Sequence, residues 1–362
     1  LGAPSVRILD TNFNLLGEID NYESLQLTRR FYRAGEFEIH IALGKQSVDQ
    51  LLKDRVIVIN NQLHKSGIIT SRQIVESDNG IETLVIKGHT LGGVLDRRVT
   101  VTDSYDRVRG SAETVMKHYV SNHIVNGVYA ERNIPFFAVA TNQGRGKVTP
   151  WQTRYEQLEK VIQEIAEVCD IGWQVALDFV TKKWVFDVVT GRILTAGQSL
   201  LPPVIFSHEF DNIQSQDYLD SDLQYKNVGY AGGKGEDEDR LIQIVGSGSG
   251  LNRRETFLDC SSAMDAIELV DLGKQKLAEQ KQIVTYNGKI LDTGSFIYER
   301  DWDLGDIVTL QNKKWGVTMD SRITEVTEIY EPASTLEIVL GAEIPTITEF
   351  IKQLQSNVKR SD

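Results

Sequence analysis

The sequence predicts an α+β fold, mainly β, in which two similar small antiparallel β-barrels or sandwiches are joined by a mixed α/β region. Three observations predict it. Residues 1–100 read as strands with period-two alternation, residues 283–341 read the same way, and a short pattern recurs in both.

The elements follow in order. VRILDTNFNLLGEI reads as a hairpin turning at Asn12–Asn14. In FYRAGEFEIHI the chain turns at Ala34–Gly35, and Phe37, Ile39 and Ile41 then point one way. RVIVI, SGIITSRQIVE and ETLVIKG continue the strands, the last two joined by the hairpin signal Asp78-Asn79-Gly80. From Ser111, SAETVMKHYVSNHIV carries a serine cap and an apolar face of Val115, Met116, Tyr119 and Val120. RYEQLEKVIQEIAEVCD is the clearest helix, with Leu158, Val161, Ile162, Ile165 and Val168 on one face. IGWQVALDF and KKWVFDVV form a hairpin around Thr181-Lys182. A further helix is predicted from Ser262 to Lys281, capped at Ser262, and Gly273 inside it costs about 1 kcal/mol relative to alanine and marks a place to break. Turn signals at Asn287-Gly288, Asp292–Gly294, Asn312-Lys313 and Glu331-Pro332 then divide a second set of strands. IPTITEFIKQLQSNVKR closes the chain as a short amphipathic helix presenting Ile347, Phe350, Ile351 and Leu354.

The repeat aligns Asp54 with Asp306 and Gly88 with Gly341, over spacings of 34 and 35 positions. Each copy runs aspartate, strand, polar turn, a glycine-bearing strand that includes Gly67 in the first copy, Ser-Arg (71–72 and 321–322), strand, turn, strand, glycine. On this reading Asp54 and Asp306 start equivalent strands and Gly305 supplies the turn before the second.

Composition narrows the function. The 362 residues are 41 % hydrophobic and 25 % charged, ordinary for a folded chain of two or three domains. A net charge of −12 argues against general nucleic-acid binding and against docking on anionic membrane. No apolar run approaches the ~20 residues of a membrane helix. The first residues enter a strand pattern with no signal peptide, and the missing initiator methionine points to a trimmed chain. Cys169 and Cys260 stand far apart and read as buried free thiols.

Carboxylates invite a catalytic or metal reading. Asp301, Asp303 and Asp306 in DWDLGDIVTL lack the alternating oxygen ligands of a calcium loop, and the strand begins at once. They read as turn residues, with Asp301 and Asp303 solvated. GGKGEDEDR, 232–240, reads as a solvated hairpin tip, and GSGSG, 246–250, as a flexible connector. NQGRGKVTP, 142–150, lacks phosphate-loop spacing and reads as an exposed loop. His118 and His123 do not share a helical face, and neither H-E-x-x-H nor G-x-S-x-G occurs. No catalytic residue, cofactor or metal is assigned. The positions singled out are structural: Asp54, Gly67, Gly88, Gly305, Asp306 and Gly341.

FYRAGEFEIHI (31–41), LVIKGHTLGGVLDRRV (84–99), NVGYAGG (227–233) and WDLGDIVTL…SRITEVTEIYE…LEIVLG (302–341) together resemble the phage tail-hub, or baseplate hub, proteins. This siphovirus-type family also occurs in prophages and phage-tail-like particles. The resemblance covers nearly the whole chain. It implies two tail-tube-like barrels per chain, at 1–100 and at 205–246 plus 284–344. Mixed α/β parts are implied at 101–204 plus 247–283, followed by a C-terminal helix at 345–362. It also implies a non-enzymatic homotrimeric ring with six similar units, set between a hexameric tail tube or distal tail protein and a threefold spike or tip. DNA would pass through it only in transit. The expected location is the virion tail, assembled in the host cytoplasm. Competing readings are a peptidoglycan hydrolase of the tail tip and a carbohydrate-binding module for the host surface. Family members often continue into a lytic or receptor-binding region, and this chain stops near the end of the shared module.

Overall fold

The computed structural model describes residues 3–291, 294–331 and 334–341. The first part of the chain gives β1 (Val6–Leu9), β2 (Leu15–Ile19), β3 (Ser24–Arg30), β4 (Glu36–Ala42), β5 (Val56–Ile59), β6 (Ser66–Glu76) and β7 (Glu82–Thr90). Their order across the sheet is β3-β4-β7-β6-β5-β1-β2, with every neighbour antiparallel. Alternation sends Leu25, Leu27, Phe37, Ile39, Ile41, Leu84 and Ile86 inward, where they meet Val6, Ile8, Ile19 and Ile57 in one core. A core shared by all seven strands requires the sheet to wrap around it.

The connecting region follows, with β8 (Asp106–Ser111), α1 (Ala112–Val120), β9 (Phe137–Val139), β10 (Val148–Thr153), α2 (Leu158–Cys169), β11 (Gly172–Asp178) and β12 (Lys183–Val189). Ser111 caps α1 by accepting the N–H of Thr114, as expected. Leu158, Val161, Ile162 and Ile165 of α2 are buried against α1, the β11–β12 hairpin and the outer side of the first module. The loop at 142–150 is exposed for most of its length, but Arg145 anchors it: its guanidinium reaches Glu113 at 2.9 Å and Asp187 at 2.6 Å. Lys117 joins the same two carboxylates at 2.6 and 2.7 Å.

The rest of the described chain supplies β13 (Ile193–Leu194), β14 (Ile205–Ser207), β15 (Ile213–Ser221), β16 (Val228–Gly232), β17 (Ile242–Gly246), β18 (Glu255–Asp259), α3 (Ala266–Ala278), β19 (Ile283–Ile290), β20 (Ile307–Asn312), β21 (Val317–Tyr330) and β22 (Ser334–Gly341). The second module runs β15-β19-β22-β21-β20, with β13 and β14 parallel to β20. Tyr286, Trp302, Val308, Leu310, Ile323 and Ile338 fill its core. The protein is therefore mainly β, and both modules belong to one open sheet, joined where β3 pairs with β21.

Four expectations need correction. Strands β16 and β17 were expected with the second module, but they pair with β18 and carry α3, making a separate unit of 228–278. The third helix starts later than expected, because Asp265 rather than Ser262 accepts the N–H of Glu268. Asn287-Gly288 is not a turn. It lies inside β19, where Gly288 leaves room for Ile213. The repeat is real but its register differs. Asp54 and Gly305 both have positive φ, 65° and 90°, and donate to the equivalent carbonyls of Ile69 and Ile323. Asp54 therefore matches Gly305, Arg55 matches Asp306, Gly88 matches Leu340 and His89 matches Gly341. The hairpin from Ile57 to Gly67 is three residues shorter than that from Val308 to Ser321, so like letters fall out of register. Both copies keep a bulge after the equivalent isoleucines Ile69 and Ile323. The C-terminal helix expected at 345–362 lies outside the described residues.

Gly273 does not break α3. A Cβ there would lie 2.7 Å from the Cβ of Ala231, so the glycine lets the helix sit close on β16. Gly273→Ala should lower the melting temperature, although helix propensity alone favours alanine by about 1 kcal/mol. A rise in melting temperature would show that close packing is not what holds the glycine there.

Candidate functional site at the seam of the two modules

β3 and β21 come from opposite ends of the chain and pair from Leu25↔Tyr330 to Arg30↔Glu325. Alternation along β3 sends Leu25 and Leu27 inward and places Arg29 at the next inward position, 8 % exposed. Along β21 the inward positions are Val326 and Glu328, both almost fully buried. Arg29 donates to the Tyr298 hydroxyl at 2.8 Å and reaches Asp303 at 3.1 Å and Glu299 at 3.3 Å. Lys65, also buried, reaches Glu328 at 2.7 Å and Glu299 at 3.0 Å. Tyr330 donates to Glu328 at 2.6 Å, and Gln62 and His64 approach Glu299 at 2.7 and 3.0 Å. On the opposite face the Thr28 and Thr327 hydroxyls meet at 3.0 Å, and Arg30 bridges Glu325 and Glu36, each at 2.7 Å.

Two buried cations of the first module thus face three carboxylates of the second, with Glu328 buried and Glu299 and Asp303 partly exposed. Stripping such charges of water costs several kcal/mol per ion, and dense hydrogen bonding offsets that cost only in one geometry. The network therefore acts as a register lock. Burial pushes Glu299 up, but the hydrogen bond from His64 and the charge of Lys65 outweigh it and hold the carboxyl at about 2. Burial drives the Tyr298 hydroxyl well above its ordinary value, so it stays protonated.

Beside this network the two modules and the connecting region meet on Phe31, which is 1 % exposed. Its N–H donates to the Thr324 carbonyl at 2.9 Å, and its carbonyl accepts the Trp173 N–H at 3.2 Å. Its ring packs against Gly172 and Gly305, where an added Cβ would come within 2.3 Å of it in each case. The Arg322 guanidinium lies over the same ring at 4.9 Å and pairs with Asp170 at 2.7 Å. Burial opposes ionisation of Asp170, yet the bonds from Arg322 and Tyr32 keep it below the usual carboxylate range. Asp306, 3 % exposed, accepts the backbone N–H groups of Arg192 and Asp303 and is bridged by the Arg192 guanidinium at 2.6 Å. A cavity of about 450 Å³ opens at this junction, bordered by Arg29, Arg30, Trp173, Arg192, Glu299 and Asp306. Its carboxylates are tied to cations, which makes it a structural clamp. Among the described residues no three His, Cys, Asp or Glu side chains group as metal ligands.

The six positions singled out from sequence fall in different places. Gly305 and Asp306 belong to the clamp. Asp54 is an exposed turn residue paired with Arg97 at 2.7 Å. Gly67 and Gly88 sit on adjacent strands under the Phe37 ring, and Gly341 ends β22. Asp303 is not simply solvated, because it reaches across to Arg29. Arg29, Lys65, Glu299 and Glu328 were missed. A signal existed: Arg29 and Glu328 occupy apolar-phase positions of amphipathic strands, where a charge demands a buried partner.

Solved structures share this architecture. The tail protein from Neisseria meningitidis MC58 has a TM-score of 0.58 at 15 % identity, over 94 % of this chain and 97 % of that one. The 43 kDa tail protein of prophage MuSo2 from Shewanella oneidensis gives 0.59 at 11 % identity, over 94 % and 98 %. Prophage tail protein gp18 from Listeria monocytogenes EGD-e gives 0.56 at 12 % identity, over 98 % and 99 %. No curated protein sequence matches significantly. The fold is thus one found in phage and prophage tail proteins. The chain itself belongs to the Siphovirus ReqiPepy6 Gp37-like protein family, whose sequence profile matches residues 5–342. No described helix is long and apolar enough to cross a membrane.

Two predictions follow from the clamp. The folded-state value of Glu299 lies below its ordinary 4.5, so its contribution is complete above pH 4.5 and is lost as pH falls from 4.5 towards 2. That shift corresponds to about 3 kcal/mol. Glu299→Gln should destabilise the protein at pH 7 and lose less further stability than wild type on acidification, as read from urea midpoints at pH 7 and 3. Parallel pH dependence in the two proteins would refute this assignment. Gly305→Ala drives a Cβ into Phe31 at a φ of 90° and should cost roughly 2–4 kcal/mol, measured the same way.

Proposed function

We propose that the chain is a structural hub of a phage or phage-like tail. Three copies form a ring with pseudo-sixfold symmetry that adapts a hexameric tail tube to a threefold tip. The carrying observation is the duplication: two modules of matching strand order and bulge position sit side by side on one sheet. Two equivalent modules per chain and three chains give six equivalent stations around one axis, which reconciles sixfold with threefold neighbours. Membership in a tail-protein family supports the reading. The partners are then a second and third copy, a tube or distal tail protein above, and a spike or tip protein below.

The ring would also be part of the conduit for DNA. The polar face of β3, β4, β7, β15, β19 and β22 carries Glu36, Glu38, Asp217 and Glu337 beside Arg30, Lys87 and Lys289. Arg30 and Lys87 are bound by carboxylates, Lys87 to Glu38 at 2.8 Å. A mixed, carboxylate-rich lining releases few counterions from a duplex and lets it slide. An enzymatic role is not part of this proposal, since the carboxylates gathered at the clamp neutralise cations.

Light scattering on the purified chain over a concentration series should reveal a species of three chain masses. A stable dimer or tetramer would contradict the proposal. Peptidoglycan zymography should give no clearing, and reproducible clearing would favour the hydrolase reading.

A further inference from the structure

The unit of 228–278 has a core of its own. Ala231, Val245, Leu258, Leu269 and Leu272 pack together there, and none of them joins the core of the connecting region. The unit is inserted between β15 and β19, whose last pair is Ser221↔Ile283. Beyond that pair, 222–227 and 279–282 run out side by side as a stalk, tied where the Lys226 N–H donates to the Gln280 carbonyl at 2.9 Å. Charge holds the unit against the connecting region. Alternation along β8 turns Val108 inward and Arg107 and Arg109 outward, with Gln152 of β10 opposite Arg107. The two arginines lie about 7 Å apart along their strand. Glu268 and Asp271 stand three residues apart on one face of α3, about 5 Å along its axis. Arg107 pairs with Glu268, Arg109 pairs with Asp271 at 3.4 Å, and Gln152 donates to the Ser262 hydroxyl at 3.1 Å. Beside the stalk, Lys281 faces Glu167 of α2 at 3.6 Å.

We infer that the 228–278 unit is a hinged arm, with the stalk as its hinge and the ion pairs from β8 to α3 as a latch that salt opens. This is a property of the single chain and does not depend on the ring proposed above. The side chains of Arg107, Arg109, Glu268 and Asp271 keep between 20 and 67 % of their exposure. Water competes for each of them, so one such pair shifts an equilibrium by only about 1.5- to 5-fold. The β3–β21 seam is the opposite case, because backbone pairing there lies over buried charges. A contact made of a few exposed charges between bodies with separate cores leaves relative motion as the default. Swinging on the stalk disturbs neither core. It re-aims the face of the unit's sheet opposite α3, where Ile244 and Phe257 flank Tyr230 and are 60 and 54 % exposed.

Double electron–electron resonance on the full chain tests the latch. One spin label goes on Glu238→Cys, exposed in the β16–β17 connection at the end of β16 remote from the stalk. The other goes on Val180→Cys, at a 93 % exposed site on the tip of the β11–β12 hairpin. The buried Cys169 and Cys260 stay in place. At about 0.05 M salt the labels should give one narrow distance, and at about 1 M, where charges act over only about 3 Å, a second, displaced distance should appear. Arg107→Glu with Arg109→Glu should raise the displaced share about tenfold at low salt. Adding Asp271→Arg to Arg109→Glu should reverse what Arg109→Glu does alone. The melting temperature should stay at that of the labelled parent, since both cores are untouched, so a changed distance reports motion rather than unfolding. One narrow distance that neither salt nor charge reversal alters overturns the hinge. A broad distribution that neither alters overturns the latch.

Discussion

The structure depends on one pairing, that of β3 with β21, residues nearly three hundred positions apart in the chain. Without it the protein would be two β-modules tethered by an α/β region. With it they share a sheet, and their relative rotation is fixed by backbone hydrogen bonds. The charges beneath the pairing make it selective. Arg29 and Lys65 are buried only because Glu299, Glu328 and Asp303 meet them in this register. A two-residue slip along the strands would leave charges buried and unpaired, at a cost of several kcal/mol. An apolar seam would tolerate such a slip more readily, so the network trades some stability for a defined angle between modules.

Phe31 extends that constraint to the third body. It follows directly on β3, and its ring is held by glycines from β11 and from the turn before β20, with Arg322 above. Side chains larger than hydrogen at Gly172 or Gly305 would push the bodies apart. The aspartate-rich stretch 301–306 takes its meaning from this place. Asp303 and Asp306 hold Arg29 and Arg192, so carboxylates that look reactive in the sequence serve as fasteners.

Much of the fold was legible because burial on one face imposes periodicity. The strands of the first module, the helix at 158–169 and its following hairpin were read from alternation, 3.6-residue spacing and turn residues. The duplication was legible too, but its register was not. Turn residues recur wherever strands reverse, so Asp54 and Asp306 looked equivalent, although the bonds to Ile69 and Ile323 make Asp54 the counterpart of Gly305. Asn287-Gly288 misled for a related reason: a glycine can permit a close approach inside a strand as well as a turn. The seam itself was illegible, since no local pattern says which distant edge a strand will meet. Only the misplaced charges at Arg29 and Glu328 hinted that two inward faces must find each other.

In the proposed ring of three chains, the two modules that the β3–β21 seam locks together in each copy supply six similar stations around one axis. Electron-microscopy class averages of the assembled protein viewed down its axis test this most directly. The expected result is a closed ring with six lobes at ~60° spacing and a weaker threefold modulation from the α/β parts. A closed assembly with three lobes and no sixfold component, or an open chain of copies, would contradict it.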